Sequence, residues 1–291
     1  MTRRRVVLTA DDFGYDRASG ELVLELLRER AVTATTIIAA SDCLPDLAPS
    51  LGAATGAGVG LHVVTNSDAG REPWRALSPE GRAAWHRGGR AETAAAPSAA
   101  LPEDPLDAEA RCTPVAAVAE MEAQLARLEE LGLHPARMDS HCGTMYGLHG
   151  NGFLPEAIGV CAWRGMSLRL PRVLEPYLGE VVPDAVRSLH ARAVAAADAA
   201  GVPLPAAMAT STTPRAELGS YGQLRDEYLE LLTRLPEGTS EVFLHPGADT
   251  AWARTCFGAD WDKRVWEARL LRDPAWRRAL ERERIDLVDR W

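Results

Sequence analysis

Four short apolar runs, each ending in ionisable residues, constrain this chain more than any other feature. Val6-Val7-Leu8 leads through Thr9-Ala10 into Asp11-Asp12-Phe13-Gly14. Gly58-Val59-Gly60-Leu61 ends in His62, and Arg137-Met138-Asp139-Ser140 ends in His141. Glu241-Val242-Phe243-Leu244 ends in His245-Pro246-Gly247. A short apolar run bounded by turn signals reads as a buried strand. A polar end turns such a strand into a rim, and in parallel α/β folds the C-terminal rim is where active sites are built. On a regular strand Asp11 and Asp12 would point to opposite faces. One could then hold a cation while the other handles a proton. The plainer role for the pair is to cap the helix that starts near Arg17.

Eight strand-like segments, 4–10, 34–41, 58–64, 136–141, 166–172, 204–210, 241–246 and 284–289, alternate with helical patterns. Residues 18–30 carry Leu22, Leu24, Leu26 and Leu27 among Glu and Arg. Thr113-Pro114 reads as a cap and first-turn proline for a helix reaching about Leu131. Segments 218–234 and 262–282 are similar amphipathic helices. The alternation predicts an α/β fold, a parallel (β/α) barrel of regular or irregular form. A doubly wound open sheet is the alternative. No Gly-x-Gly-x-x-Gly follows the first strand, which weakens a dinucleotide reading. The chain reads as one domain over 1–291 with a long insertion at about 67–112, rich in Gly, Ala, Pro and charge. The insertion follows His62 directly, so it is either a substrate-facing lid or a disordered segment.

The net charge of −9, without a basic stripe, argues against nucleic acid as a partner. Five scattered cysteines with no Cys-x-x-Cys pair argue against a disulfide framework or a structural zinc site. Cys142, beside His141, reads as packing, because strand neighbours face opposite ways. The opening Met1-Thr2-Arg3-Arg4-Arg5 mimics a signal peptide, but the apolar stretch behind it is far too short. No run approaches the ~18 apolar residues of a membrane span. A cytoplasmic protein with no membrane partner is expected, and a homodimer is compatible.

One Asp oxygen and two imidazole nitrogens are a common ligand set for a catalytic divalent ion. Asp12, His62 and His141 suit that role. Asp11 suits the base, and His245 suits the acid that protonates a leaving group. The layout is that of a hydrolase attacking an amide or ester carbonyl. Oxygen and nitrogen donors leave Mg, Zn, Mn, Co and Ni open, with Mg or Zn expected.

In this order, Thr-Ala-Asp-Asp-Phe-Gly, Gly-Leu-His, Asp-Ser-His and His-Pro-Gly resemble the YdjC-like (ChbG/HpnK) carbohydrate deacetylases. The resemblance spans nearly the whole chain apart from 67–112. It implies a deacetylase-type (β/α) barrel and one divalent metal ion on Asp12, His62 and His141. It also implies Asp11 as base, His245 as the later active-site histidine, and a small N-acetylated sugar as substrate. Arg169 and Arg172 resemble an arginine-bearing strand end of the same family, and a surface ion pair is their plainer role. The chain departs from the family at Gly143, where many members carry a second histidine. Asp139 is a candidate to orient an imidazole. Tyr146 and Trp252 could stack on a sugar ring or pack in the core. A glycoside hydrolase with paired carboxylates and a non-catalytic sugar-binding protein are the competing readings.

Overall fold

Eight strands form one sheet in which every pairing is parallel: β1 (Arg4–Phe13), β2 (Ala34–Ile37), β3 (Gly58–Val63), β4 (Arg137–Ser140), β5 (Ser167–Leu168), β6 (Met208–Ala209), β7 (Gly238–Leu244) and β8 (Ile285–Val288). The computed structural model describes residues 4–54, 56, 58–85 and 100–291. The strand order is β5-β4-β3-β2-β1-β7-β6, and β8 pairs with β1. Along β1, β8 pairs Arg4–Val7 and β2 pairs Thr9–Phe13, while β7 runs beside Arg4–Ala10. The sheet curls until its ends meet. Leu168 N donates to Pro203 O at 3.1 Å, Arg172 N to Pro205 O at 3.0 Å and Val173 N to Ala206 O at 3.0 Å. The result is the irregular parallel barrel that the alternating pattern predicts.

The helices cover the outside of this sheet through one large apolar cluster that includes Leu8, Leu26, Leu61, Met121 and Leu244. Each fully buried Leu contributes about 1.5–3 kcal/mol. The caps follow the sequence. Asp16 accepts from Ser19 N at 2.9 Å at the head of the helix Arg17–Arg28, which frees Asp11 and Asp12 from capping. Thr113 caps Pro114–Glu130 and Ser220 caps Tyr221–Arg234. The helix expected over 262–282 is two, Trp261–Leu271 and Pro274–Arg282. Pro274 cannot continue a helix, and Asp273 caps the second one through Ala275 N.

The insertion after His62 is folded where it is described. It holds short helices at Pro79–Trp85 and Pro105–Arg111. Trp74, Trp85 and Leu101 join Tyr15, Ile38 and Val64 in a second apolar cluster. The fully buried Glu120 clamps the segment, accepting from Leu77 N at 2.9 Å, Ser78 N at 2.9 Å and Ser78 Oγ at 2.7 Å. Residues 86–99 of the expected lid lie outside the described residues.

Candidate active site

Both aspartates of the first run reach the same pocket because β1 is not regular at its end. Its register shifts between Ala10 and Phe13, and Asp12 sits at φ 64°. Regular alternation would send one of two neighbours to the far face. The bulge instead turns both inward, and both carboxylates are buried. A non-glycine residue in this region is strained by about 1–3 kcal/mol, a cost found mostly at functional sites.

Asp12 is the hub. Its Oδ1 lies 3.2 Å from His62 Nε2 and 3.2 Å from His141 Nδ1, and its Oδ2 accepts from Arg264 Nη1 at 2.8 Å. Each histidine ends its strand as the sequence suggests, at the close of β3 and immediately after β4. The far nitrogen of each imidazole is held by a carboxylate. His62 Nδ1 meets Asp139 Oδ1 at 2.7 Å. His141 Nε2 meets Asp68 Oδ1 at 3.1 Å and Oδ2 at 3.2 Å. Metal-binding histidines are held in this way, which fixes ring angle and tautomer.

Asp11 lies on the other side of His62. Its Oδ1 accepts from Thr36 Oγ1 at 2.7 Å, and that hydroxyl is 3.3 Å from His62 Nδ1. Arg169 grips Asp11 with both Nη atoms, at 2.7 and 2.8 Å. Burial alone would raise the Asp11 carboxyl, but the Arg169 charge and hydrogen bonds hold it well below the usual range. Burial would likewise lower the His62 imidazole, yet Asp139, Asp12 and Asp11 push it up to about 10. The pocket is therefore built to hold positive charge.

One ligand atom from each of Asp12, His62 and His141 falls within a 4.8 Å span, with no ion counted. Asp11, His62 and Asp139 form an overlapping group, as do Asp68, His141 and Cys142. Arg169 occupies the oxygens of Asp11 and Asp139, so Asp12, His62 and His141 are the better set. One oxygen and two nitrogens, on imidazoles locked from behind, fit a divalent cation.

The other expected residues fall in different places. His245 ends β7 half-buried, with its ring 5.9 Å from Phe243. Its backbone N donates to Glu267 Oε2 at 2.7 Å. Burial and the Arg264 charge lower its imidazole against the pull of Asp12, so the ring is neutral at pH 7. Arg169 is buried and spends its guanidinium on Asp11, Asp139 and Glu241. Arg172 is exposed and pairs with Asp198, away from this cluster. Tyr146 donates to Arg169 O at 2.7 Å, a tether beneath the site. Trp252 is partly exposed and lies 6.0 Å from Tyr15. Tyr15 in turn contacts Trp74 at 5.4 Å and Phe257 at 4.9 Å, and Trp74 lies 5.4 Å from His141.

The chain around Cys142 differs from expectation. β4 stops at Ser140, and Cys142 and Gly143 take φ 50° and 69° in a tight turn. Strand alternation therefore does not apply, and Cys142 is exposed, with its Sγ 3.7 Å from Asp68 Oδ1. A Cβ on Gly143 would fall 2.4 Å from Leu148 Cδ1, so a histidine there needs Leu148 to move as well as a strained backbone.

Asp68, Arg264 and Glu241 escape the sequence reading. Asp68 lies in the irregular insertion, and Arg264 is one of two arginines on its helix. Glu241 alone left a signal, a charge opening the fourth apolar run.

A sequence profile described as YdjC-like protein matches residues 5–282. Among solved structures, one from Enterococcus faecalis V583, provisionally named as a cellobiose-phosphate cleavage protein, gives a TM-score of 0.72 at 19% identity. The match covers 99% of this chain and 98% of that one. A polysaccharide deacetylase from Bacillus cereus gives 0.46 at 14% identity, covering 98% and 91%. A family 4 carbohydrate esterase from Streptomyces lividans, solved with acetate, gives 0.41 at 12%, covering 99% and 93%. The first shows a shared fold, and the other two are too distant to bear on the site. No curated protein matches.

Proposed function

Because the chain belongs to the YdjC-like family, we propose that it is a metal-dependent hydrolase that removes the acetyl group from an N-acetylated sugar or glycoconjugate. The observation that carries this reading is the meeting of His62 Nε2 and His141 Nδ1 on one oxygen of Asp12, with Asp11 beside them.

Asp12, His62 and His141 would hold the ion, and Asp139 and Asp68 would keep the two imidazoles aimed at it. A divalent ion bound there supplies Lewis acidity and lowers the pKa of water. Asp11, ionised and held by Arg169, takes the proton that the attacking water gives up. Its low basicity suits it to water that has been acidified and to little else. His245 protonates the departing sugar nitrogen, so that acetate and a free amine result. Its neutral resting state makes the acid form the minor species at pH 7. The exposed face of Trp252, a ring that packs on Tyr15 and Phe257, is the surface against which a sugar ring packs.

In this reading the protein is cytoplasmic and its substrate is a small carbohydrate. Among the described residues no helix is long and apolar enough to cross a membrane.

The test is product analysis by mass spectrometry on a panel of N-acetylated oligosaccharides. Loss of one acetyl group with intact glycosidic bonds supports the proposal. Shortened chains with their acetyl groups retained would establish the glycosidase reading in its place.

A further inference from the structure

Four of the five N–H donors of Arg169 are hydrogen-bonded to carboxylates. Nε donates to Glu241 Oε2 at 2.7 Å and one Nη2 proton to Glu241 Oε1 at 2.8 Å. The Nη1 and Nη2 end grips both oxygens of Asp11. Nη1 also forms an ion pair with Asp139 Oδ2 at 2.6 Å. A guanidinium has five donors in a rigid plane, so fixing one edge fixes the others.

Glu241 holds the edge opposite the reaction. It is fully buried in β7 and is itself pinned, accepting from Thr9 Oγ1 at 2.6 Å and facing Arg137 Nη1 at 3.2 Å. Arg137 Nη2 also donates to Thr9 Oγ1 at 3.0 Å. Phe243 lies 4.7 Å from the Arg169 guanidinium carbon and leaves it little room to tilt.

We propose that Glu241 is a positioning residue for the reaction. By clamping the Nε edge of Arg169 it sets the plane in which Asp11 is presented to the attacking water. This inference rests on the proposed role of Asp11 as base. The chemistry of the alternative side chain gives it a sharp form. Glutamine at 241 offers one acceptor and one NH2, and the NH2 would meet an Arg169 donor. The edge cannot stay fully paired, so Arg169 must turn and take the Asp11 carboxylate with it.

The test is a double-mutant cycle on the metal-loaded protein, with crystal structures of the variants. Glu241→Gln is expected to lower kcat by about 10–100-fold, the usual weight of an outer partner, with KM and metal content near wild type. In the Asp11→Asn background the same change should cost less than about twofold, because there is no base left to position. The crystal structure should show the Arg169–Asp11 fork broken. Should Glu241→Gln fail to fold, Thr9→Val removes one hydrogen bond from Glu241 and should cost less, in the same pattern. Equal losses in both backgrounds, or an intact fork in the crystal, overturn the proposal. If Asp11→Asn alone costs nothing, the base assignment and this inference both fall. If Asp11→Asn abolishes turnover while the cycle shows no coupling, the base assignment stands and only this inference falls.

Discussion

The Asp139 carboxylate meets the His62 imidazole at 2.7 Å, on the nitrogen that faces away from Asp12. Asp139 thereby decides which nitrogen His62 can offer to a cation, and Asp68 does the same for His141. His62→Ala and His141→Ala should abolish tight divalent-ion binding. Asp68→Asn and Asp139→Asn should weaken it about 10–100-fold. Calorimetric titration of metal-stripped protein measures both classes. Unchanged affinity in the two histidine variants would dismantle the assigned centre.

Metal binding should also release protons. Against burial, Asp139, Asp12 and Asp11 push the His62 imidazole up to about 10, and Cys142, Asp68 and Asp12 raise that of His141. Both are protonated in the ion-free site at pH 7, and an ion must displace those protons. The sign follows. Apparent metal affinity rises with pH from neutral toward about 10. Titration in buffers of different ionisation enthalpy counts the protons, and no buffer dependence at pH 7 would refute this account of the charge.

The two adjacent aspartates should separate cleanly. Asp11→Asn is expected to retain the metal and lose turnover by on the order of 10²–10⁴. Asp12→Asn should lose metal occupancy. Elemental analysis beside steady-state rates distinguishes them, and an emptied site in Asp11→Asn would reverse the roles.

How much of this site was legible varied with backbone regularity. His62, His141 and His245 were visible because each closes an apolar run, and a strand end fixes where its side chain sits. That Asp11 and Asp12 share one pocket was not readable from alternation, since the bulge at φ 64° breaks the period. Cys142 was misplaced for the same reason, as β4 ends two residues before it. Asp68 was hidden in a segment with no period of its own, held by irregular bonds such as Ser67 N to Pro102 O and Trp74 N to Ser67 Oγ and by the Glu120 clamp. Arg169 reads in sequence as a substrate-facing residue or a surface ion pair, and its burial among three carboxylates is a tertiary fact with no local signal.

His245 supplies a test of leaving-group chemistry. His245→Ala should bind metal normally and deacetylate N-acetylated sugars slowly. Hydrolysis of an activated phenyl acetate needs little protonation of the leaving group and should suffer less, if it is a substrate. Because burial and Arg264 lower the imidazole below its ordinary 6.5, the acid form is depleted as pH rises. The His245-dependent fall in kcat/KM on the amide should therefore centre below pH 6.5 and be missing in the variant. Equal losses on amide and ester would remove the general-acid role.

Glu120 anchors the segment that carries Asp68. Glu120→Ala strands the Leu77 and Ser78 backbone donors, at about 1–3 kcal/mol for each unsatisfied group. Denaturant unfolding should show that loss, and limited proteolysis should cut near residues 77–82 faster. Metal affinity should fall too, since Asp68 loses its support. Full stability in the variant would show that the clamp is dispensable.

The most direct measurement is acetate release from an N-acetylated sugar by protein stripped with a chelator and then titrated with a divalent ion. The account predicts no turnover without metal, and recovery in proportion to ion bound, complete at one per chain. It also predicts no recovery in His62→Ala or His141→Ala. Full turnover by the stripped protein, or full recovery in either variant, would contradict it.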